Sequence, residues 1–187
     1  YGVDEQGDIR WYSSRTGGFV FKRLSNGNLL LGASQSEDKR NEYLFETDML
    51  GKIQNQYKVN LPNYEDTNVI HHDAIELPNN NLLVTVHDNS NAYEEDTMVE
   101  IDRATGETVE TLDLKDIFPA EAYEEYSGPN ESDGDWMHLK AIWYDKENRS
   151  ILISGRHQSA VLSLTYPEMN INWILGAPEG WSADMAK

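Results

Sequence analysis

Hydrophobic residues in this chain occur in short runs, and turns rich in Asn, Asp and Gly separate these runs. Apolar or alternating runs bounded by such residues predict β-strands joined by tight turns. Three segments repeat the pattern of strand, turn and strand, and they are 18–32, 73–86 and 140–154. Their turns carry residues that tolerate positive φ, as hairpin loops require. The sequence therefore predicts three β-hairpins.

A third strand and a fourth strand follow each hairpin. The predicted pairs are 43–48 with 52–59, 98–102 with 107–112, and 160–164 with 171–175. Four-stranded repeats of about 40–50 residues are typical of β-propeller blades. We therefore predict an all-β fold, a β-propeller fragment of about three four-stranded blades. A β-sandwich or a stack of independent hairpins fits less well, because the four-strand unit recurs with its turns in register.

The predicted blades span approximately 18–59, 69–113 and 137–176. Residues 1–12 have the pattern expected at the end of a preceding blade, and 113–135 form an inserted loop with a helical turn or two around 119–126. Because propellers have about four to eight blades, three blades do not close. We therefore expect the chain to be a piece of a longer polypeptide, or its open edges to be covered by a partner.

Acidic residues outnumber basic residues, since 33 Asp and Glu against 15 Lys and Arg give a formal net charge of −18. This charge argues against a nucleic-acid partner, because a phosphate backbone needs a basic face. It also makes any local cluster of Arg, Lys and His conspicuous, because such a cluster would draw an anion in against the overall field. Cysteine is absent, and no apolar run approaches the roughly 18 residues that a membrane span requires.

Three histidines lie in two similar stretches, His71-His72-Asp73 and Trp136-Met137-His138, and each stretch opens a predicted inner strand. In a propeller the inner strands line a central channel, so we expect His71 or His72 and His138 to meet at its mouth. A single histidine at the start of a strand is more often a hydrogen-bonded structural residue. Its occurrence on two blades makes a functional role equally plausible.

Two further positions follow the second strand of a hairpin. Arg156 and His157 follow it in the third blade, and His87 ends it in the second. Strand alternation would point Arg156 and His157 to opposite faces, so that one of them faces the channel. An arginine fork suits a tetrahedral oxyanion, whereas the alternative is an ordinary loop salt bridge. We expect His87 to be at most a supporting residue.

A metal site built from the histidines and a nearby aspartate is conceivable, because imidazole and carboxylate suit zinc or iron. The usual close ligand spacings are missing, so we predict no metal and no cofactor. The set considered is His71, His72, Asp73, His87 and His138. The acidic stretches 94–96 and 131–135 would suit calcium, but we interpret them as solvated loops.

Longer strings of residues resemble one known family. The segments 135–145, 154–161 and 173–176, together with His71-His72-Asp73-Ala74 and Leu77-Pro78-Asn79, closely resemble the bacterial aryl-sulfate sulfotransferases. The resemblance extends from Gly18 onward and is strongest over 135–181. It implies a six-bladed propeller that transfers a sulfuryl group from a phenolic sulfate ester to a phenol, by way of a histidine. It also implies a periplasmic, extracellular or cell-surface location.

The resemblance assigns roles to several residues. His138 and Arg156 match the family's sulfate-binding histidine and arginine, and either His71 or His72 matches the histidine of the earlier blade. Lys140 stands where the family often has asparagine, so it would either add positive charge or point away. Lys140, His157 and His87 are therefore our candidate substrate-binding residues.

The nucleophilic histidine of the family lies in a later blade, and none of the five histidines here matches it. We therefore expect this polypeptide to hold the sulfuryl group but to be inactive alone. Exposed sheet edges also make a homodimer possible. The alternatives are a non-enzymatic β-propeller binding platform and a metal-dependent propeller enzyme such as a lactonase.

Overall fold

A computed structural model of the chain describes residues 1–12, 20–33, 43–59, 61, 69–87, 93, 96–124 and 134–176. Within these ranges the protein is built from three four-stranded antiparallel sheets and one two-stranded sheet. The two-stranded sheet pairs β1 (Gly2–Val3) with β2 (Ile9–Trp11). The prediction of an all-β chain with three four-stranded propeller blades is confirmed.

Each blade is a meander in which strands that follow one another in sequence are neighbours in the sheet. The first blade contains β3 (Phe21–Arg23), β4 (Leu29–Ala33), β5 (Tyr43–Thr47) and β6 (Ile53–Lys58). The second contains β7 (Val69–Glu76), β8 (Leu82–His87), β9 (Thr97–Ile101) and β10 (Thr108–Asp113). The third contains β11 (Leu139–Asp145), β12 (Ser150–Gly155), β13 (Ala160–Thr165) and β14 (Ile171–Gly176).

Helical structure in the described residues is confined to the segment between the second and third blades. It consists of a 3-10 turn at Leu114–Asp116 and a helix α1 at Glu121–Glu124. Asp113 caps the 3-10 turn by accepting a hydrogen bond from the backbone N–H of Lys115. No helix in this part of the chain is long and apolar enough to cross a membrane.

The hydrophobic core lies between neighbouring blades. Residues of the middle blade alternate along each strand, so that Leu82 and Val84 face the first blade whereas Leu83 faces the third. This arrangement explains why β8 is an almost continuous apolar run, since both of its faces are buried. The first strands of neighbouring blades also contact each other, β3 with β7 and β7 with β11. They are therefore the innermost strands, as the sequence predicted.

Candidate functional site

The candidate site lies where the N-terminal ends of β7 and β11 meet. His72 is the fourth residue of β7 and His138 immediately precedes β11, and both adopt left-handed backbone conformations with φ of 52° and 48°. Such conformations are uncommon outside glycine, although histidine adopts them more readily than most residues. The register is irregular near both histidines, between Ile70 and Ala74 and between Leu139 and Ala141. Bulges of this kind re-aim side chains, and here the two imidazole centroids come within 5.3 Å.

Three groups hold the ring of His138. Its Nδ1 lies 2.5 Å from Oδ2 of Asp135, and its Nε2 lies 3.4 Å from Nη1 of Arg156. The ring of His157 packs beside it, with centroids 4.6 Å apart and planes inclined by 31°. The backbone N–H of Arg156 donates to the carbonyl of His138, which keeps the two residues together. His138 therefore lies between a buried carboxylate and an exposed guanidinium.

Lys140 directs its charge toward the neighbouring blade. Its Nζ lies 2.9 Å from Nε2 of His72, and because an ammonium only donates, the imidazole nitrogen accepts. Lys140 therefore adds positive charge to the cluster rather than pointing away from it. Arg156 and Lys140 thus approach the His72–His138 pair from different sides.

The twin histidines of the second blade occupy different environments. His71 is only 4% exposed, whereas His72 is half-buried and lies beside His138 and Lys140. The two rings meet edge to face, with centroids 4.9 Å apart. His72 is therefore the one whose ring borders the cluster directly, and His71 packs behind it.

Asp73 and Thr85 build the scaffold under His72. The Thr85 hydroxyl lies against the carbonyls of His71 and Asp73, and it accepts a hydrogen bond from the Asp73 N–H. The Asp73 carboxylate accepts hydrogen bonds from the Lys22 ammonium and from the Ile142 N–H. Since Lys22, Asp73 and Ile142 belong to three different blades, this carboxylate ties the blades together beside the site.

Asp135 is a site residue that sequence reasoning missed. The prediction that 131–135 is a solvated loop is wrong for Asp135, because this residue is 5% exposed and contacts His138. The same interpretation is wrong for Asp96, which is buried and bound by Lys115 and by the indole N–H of Trp136. Residues 94–95 and 131–133 lie outside the described residues. The useful signal in the sequence was the position of Asp135 three residues before His138.

The expected division between Arg156 and His157 also differs from the structure. Strand β12 ends at Gly155, so strand alternation no longer applies to the two residues that follow in a turn. Both therefore contact His138, Arg156 from the exposed side and His157 from the buried side. His87 ends β8 and pairs with Val69 at the start of β7.

Two cavities open at the other ends of the inner strands. Their volumes are about 500 and 320 Å³, and both are lined by Glu76, Tyr144 and Lys146. These residues lie at or just beyond the C-terminal ends of β7 and β11, whereas the histidines lie at the N-terminal ends. We place the candidate site at the histidine cluster, because titratable and cationic side chains converge there.

The cluster combines groups that suit a tetrahedral oxyanion. A guanidinium and an ammonium supply positive charge, and two imidazoles supply nitrogen atoms that donate or accept hydrogen bonds. In a chain of formal net charge −18, such a concentration of basic side chains favours an anionic ligand locally.

Comparison with known proteins agrees with this chemistry. The chain is 23% identical to the arylsulfate sulfotransferase AssT of Escherichia coli and 21% identical to AssT of Lelliottia amnigena, and each alignment covers 98% of this chain. The chain spans only 37% of the length of these relatives. Among solved structures, a streptogramin B lyase matches with a TM-score of 0.55 at 13% identity, over 94% of this chain and 47% of that one. That likeness supports the fold alone.

The family comparison covers more of the chain. The model of the arylsulfotransferase (ASST) family matches residues 1–187, which include every residue of the histidine cluster. The chain therefore belongs to the arylsulfotransferase family.

Proposed function

We propose that the protein containing this chain is an aryl-sulfate sulfotransferase. It moves a sulfuryl group from a phenolic sulfate ester, the donor, to a phenol, the acceptor, through a sulfohistidine intermediate. Family membership supports the class of reaction. The observation that carries the proposal is the convergence of Arg156 and Lys140 on the His72–His138 pair.

In the first step a neutral imidazole from outside this chain attacks the sulfur of the donor. A nitrogen–sulfur bond forms, the bond from sulfur to the phenolic oxygen breaks, and the phenolate leaves with the electron pair. In the second step the oxygen of the acceptor phenol attacks sulfur and its proton passes to the released phenolate, while the nitrogen–sulfur bond breaks and its electron pair returns to the imidazole. Both steps develop negative charge on oxygen, which preorganised positive groups stabilise.

This chain supplies the part of the site that holds the sulfuryl group. Arg156 offers a planar fork of donors to the sulfuryl oxygens, and His138 accepts from one nitrogen of that fork while the ring of His72 lies beside that of His138. Lys140 adds a second positive charge beside His72. We assign no nucleophile to this chain and no metal or cofactor to the reaction, so the 187-residue polypeptide alone should not turn over.

The assay uses the longer protein with a chromogenic phenyl sulfate, with and without a phenol acceptor. We expect phenol release to depend on the acceptor, and the acceptor to appear as its sulfate ester. With donor alone, intact-protein mass spectrometry should find one added sulfuryl group, and fragmentation should locate it on a histidine outside the present sequence. Absence of phenol release over a broad pH range would overturn the proposal.

The alternative, a binding platform without catalysis, makes a different prediction. A platform would bind an aryl sulfate reversibly, release no phenol and gain no mass. Family resemblance also leads us to propose a periplasmic, extracellular or cell-surface location, which fractionation of the producing cells would test. No partner of another macromolecular class is needed for the reaction.

A further inference from the structure

We propose that Asp135 is a positioning residue that fixes both the orientation and the tautomer of His138. As a result Nδ1 carries the proton, and Nε2 is the ring nitrogen that accepts from Arg156 and so orients the guanidinium. This inference deepens the proposed function and rests on it for its catalytic meaning. The geometry on which it depends can be tested without turnover.

The first argument is the contact itself. Nδ1 of His138 lies 2.5 Å from Oδ2 of Asp135, within the range of a charge-assisted hydrogen bond. An ionised carboxylate has no hydrogen to donate, so the imidazole must donate from Nδ1. In a neutral ring the other nitrogen is then the acceptor, and Nη1 of Arg156 lies 3.4 Å from that atom.

The second argument is burial. The side chain of Asp135 is 7% exposed, and its Oδ1 has no hydrogen-bond partner among the described residues. Burying a carboxylate with one oxygen unpaired is costly, because each unmade hydrogen bond leaves the cost of desolvation uncompensated. If Asp135 served packing alone, a smaller or apolar residue would fill the same space without this desolvation cost. Its Oδ2 lies 2.5 Å from Nδ1 of His138 and 3.5 Å from Nδ1 of His157, and the short contact to His138 is what distinguishes this position.

The third argument is the buttress formed by His157. Nδ1 of His157 donates to the backbone carbonyl of Asp135 at 2.6 Å, and its ring packs against that of His138. The side chain of His157 is 3% exposed, so its ring is enclosed by protein. One imidazole therefore holds both the backbone of Asp135 and the face of the ring that Asp135 orients.

A metal ion is the competing explanation for this group. Asp135, His138 and His157 each offer a ligand atom within 4.8 Å of the others. Two ligands at about 2.0–2.1 Å from one tetrahedral zinc lie about 3.3 Å apart, whereas His138 Nδ1 and Asp135 Oδ2 are separated by 2.5 Å. His157 Nδ1 is in addition directed at a carbonyl oxygen. These distances fit hydrogen bonds better than a shared metal.

The first experiment records long-range nitrogen–proton NMR spectra of the 187-residue chain labelled with ¹⁵N-histidine. His138→Asn identifies the signals, since asparagine tolerates the left-handed backbone. We expect wild-type His138 as the Nδ1–H tautomer, and Asp135→Ala to shift it toward Nε2–H. Finding Nε2–H in the wild type, or stoichiometric zinc in the purified protein, would overturn the proposal. The wild-type spectrum decides even if Asp135→Ala fails to fold.

The second experiment measures sulfotransfer by the longer protein. Asp135→Asn keeps the size of the side chain and removes its charge, and we expect kcat/KM to fall about 10- to 100-fold. Asp145→Asn is the matched control, because it removes a carboxylate from the opposite end of β11. Equal activity of Asp135→Asn and Asp145→Asn would contradict a positioning role. If the wild type has no sulfotransferase activity, the proposed function is wrong. The NMR measurement of the His138 tautomer still tests whether Asp135 orients this ring.

Discussion

The rings of His72 and His138 lie 5.3 Å apart, and both residues hold a left-handed backbone conformation, one within β7 and the other immediately before β11. Their equivalence comes from the repeat, because each residue lies beside an irregularity in the register of its own hairpin. Uncommon backbone conformations that recur at one place are typical of functional sites. Of the twin histidines, His72 is therefore the one whose ring lies beside that of His138.

The first prediction separates the twin histidines by substitution in the longer protein. We expect His72→Asn to reduce sulfotransfer about 10- to 100-fold, because it removes the imidazole that contacts Lys140 and lies beside His138, while keeping the left-handed backbone. His71→Asn should instead act on stability, lowering the free energy of unfolding by about 0.5–3 kcal/mol, since His71 is buried. Steady-state kinetics and urea titrations of both variants provide the comparison. The opposite ranking would assign the site to His71.

The second prediction concerns Arg156. Because its side chain is exposed and reaches His138, Arg156→Ala should leave stability within about 0.5 kcal/mol of wild type. Activity should fall about 100- to 1,000-fold, as expected when a donor to developing negative charge is lost. Arg156→Lys should recover only part of the loss, because the ammonium keeps the charge without the planar fork.

Arg23→Ala serves as the control for Arg156, since Arg23 is also exposed but lines a cavity at the other end of the inner strands. It should keep wild-type kinetics. Retained turnover in Arg156→Ala would remove Arg156 from the sulfuryl-binding group.

The blade pattern could be predicted from the sequence because every strand pairs with its neighbour in sequence. Turn residues such as Asn26-Gly27 mark the hairpins locally, and antiparallel pairing then follows without long-range information. The observed bounds of β5, β9 and β13 accordingly differ from the predicted ones by at most one residue at either end.

The details of the site could not be predicted in the same way. The left-handed conformations of His72 and His138 occur beside irregularities in strand register. The alternation of apolar and polar residues along a strand does not reveal where such irregularities lie. The contact of Asp135 with His138 arises in the segment before β11, where neither strand nor helix periodicity applies. Prediction failed where backbone geometry, rather than hydrophobic pattern, sets the direction of a side chain.

The third prediction concerns the ion pairs between the first and second blades. Arg103 donates to both oxygens of Glu46 and to Glu76, and the side chains of Arg103 and Glu46 are 8% and 2% exposed. Removing one partner of a buried group leaves the others uncompensated, so Arg103→Met should cost about 3–5 kcal/mol of unfolding free energy at pH 7. Arg10→Met, which breaks only exposed pairs, should cost at most about 1 kcal/mol.

The same group should make stability depend on pH. Burial raises the pKa of Glu46, but hydrogen bonds from Arg103, Asn26, Asn28 and Tyr57 outweigh burial and hold this pKa well below its usual range. A depressed folded-state pKa stabilises the fold above the unfolded value of about 4.3, and this stability is lost as the pH falls below that value. Urea titrations between pH 7 and pH 3 should therefore show a shallower decline for Glu46→Gln than for wild type. Equal slopes would contradict this role.

The fourth prediction concerns self-association through the face of the third blade that points away from the second blade. Apolar side chains project from one face of this sheet, and they are Trp143, Val161, Trp173 and Leu175, exposed by 64%, 36%, 42% and 69%. Its opposite face packs against the second blade. Since an apolar patch of this kind favours association, we expect the 187-residue chain to form dimers or larger species in sedimentation velocity as its concentration rises.

Substitutions to lysine test which surface is responsible. Trp173→Lys and Leu175→Lys should shift the chain toward monomer, although each also reduces the net negative charge that opposes association. Val109→Lys changes an equally exposed apolar residue on the outer strand of the second blade and should have little effect. A wild-type chain that stays monomeric at high concentration would contradict the prediction, as would equal effects of all three variants.

The fifth prediction tests how tightly the site is packed, through Gly155. This residue ends β12 immediately before Arg156, and a β-carbon here would overlap the sulfur of Met137, which is fully buried immediately before His138. Gly155→Ala should therefore displace Met137 and change the position of His138 relative to Arg156. Overpacking of this kind costs about 1–3 kcal/mol in stability, and a shift of about 1 Å at a catalytic group is enough to reduce the rate about 100-fold.

Gly32→Ala, which crowds Val20 in the first blade, is the matched control: it should lower the melting temperature but spare kcat/KM. Full activity in Gly155→Ala would show that the contact between His138 and Arg156 does not depend on this packing.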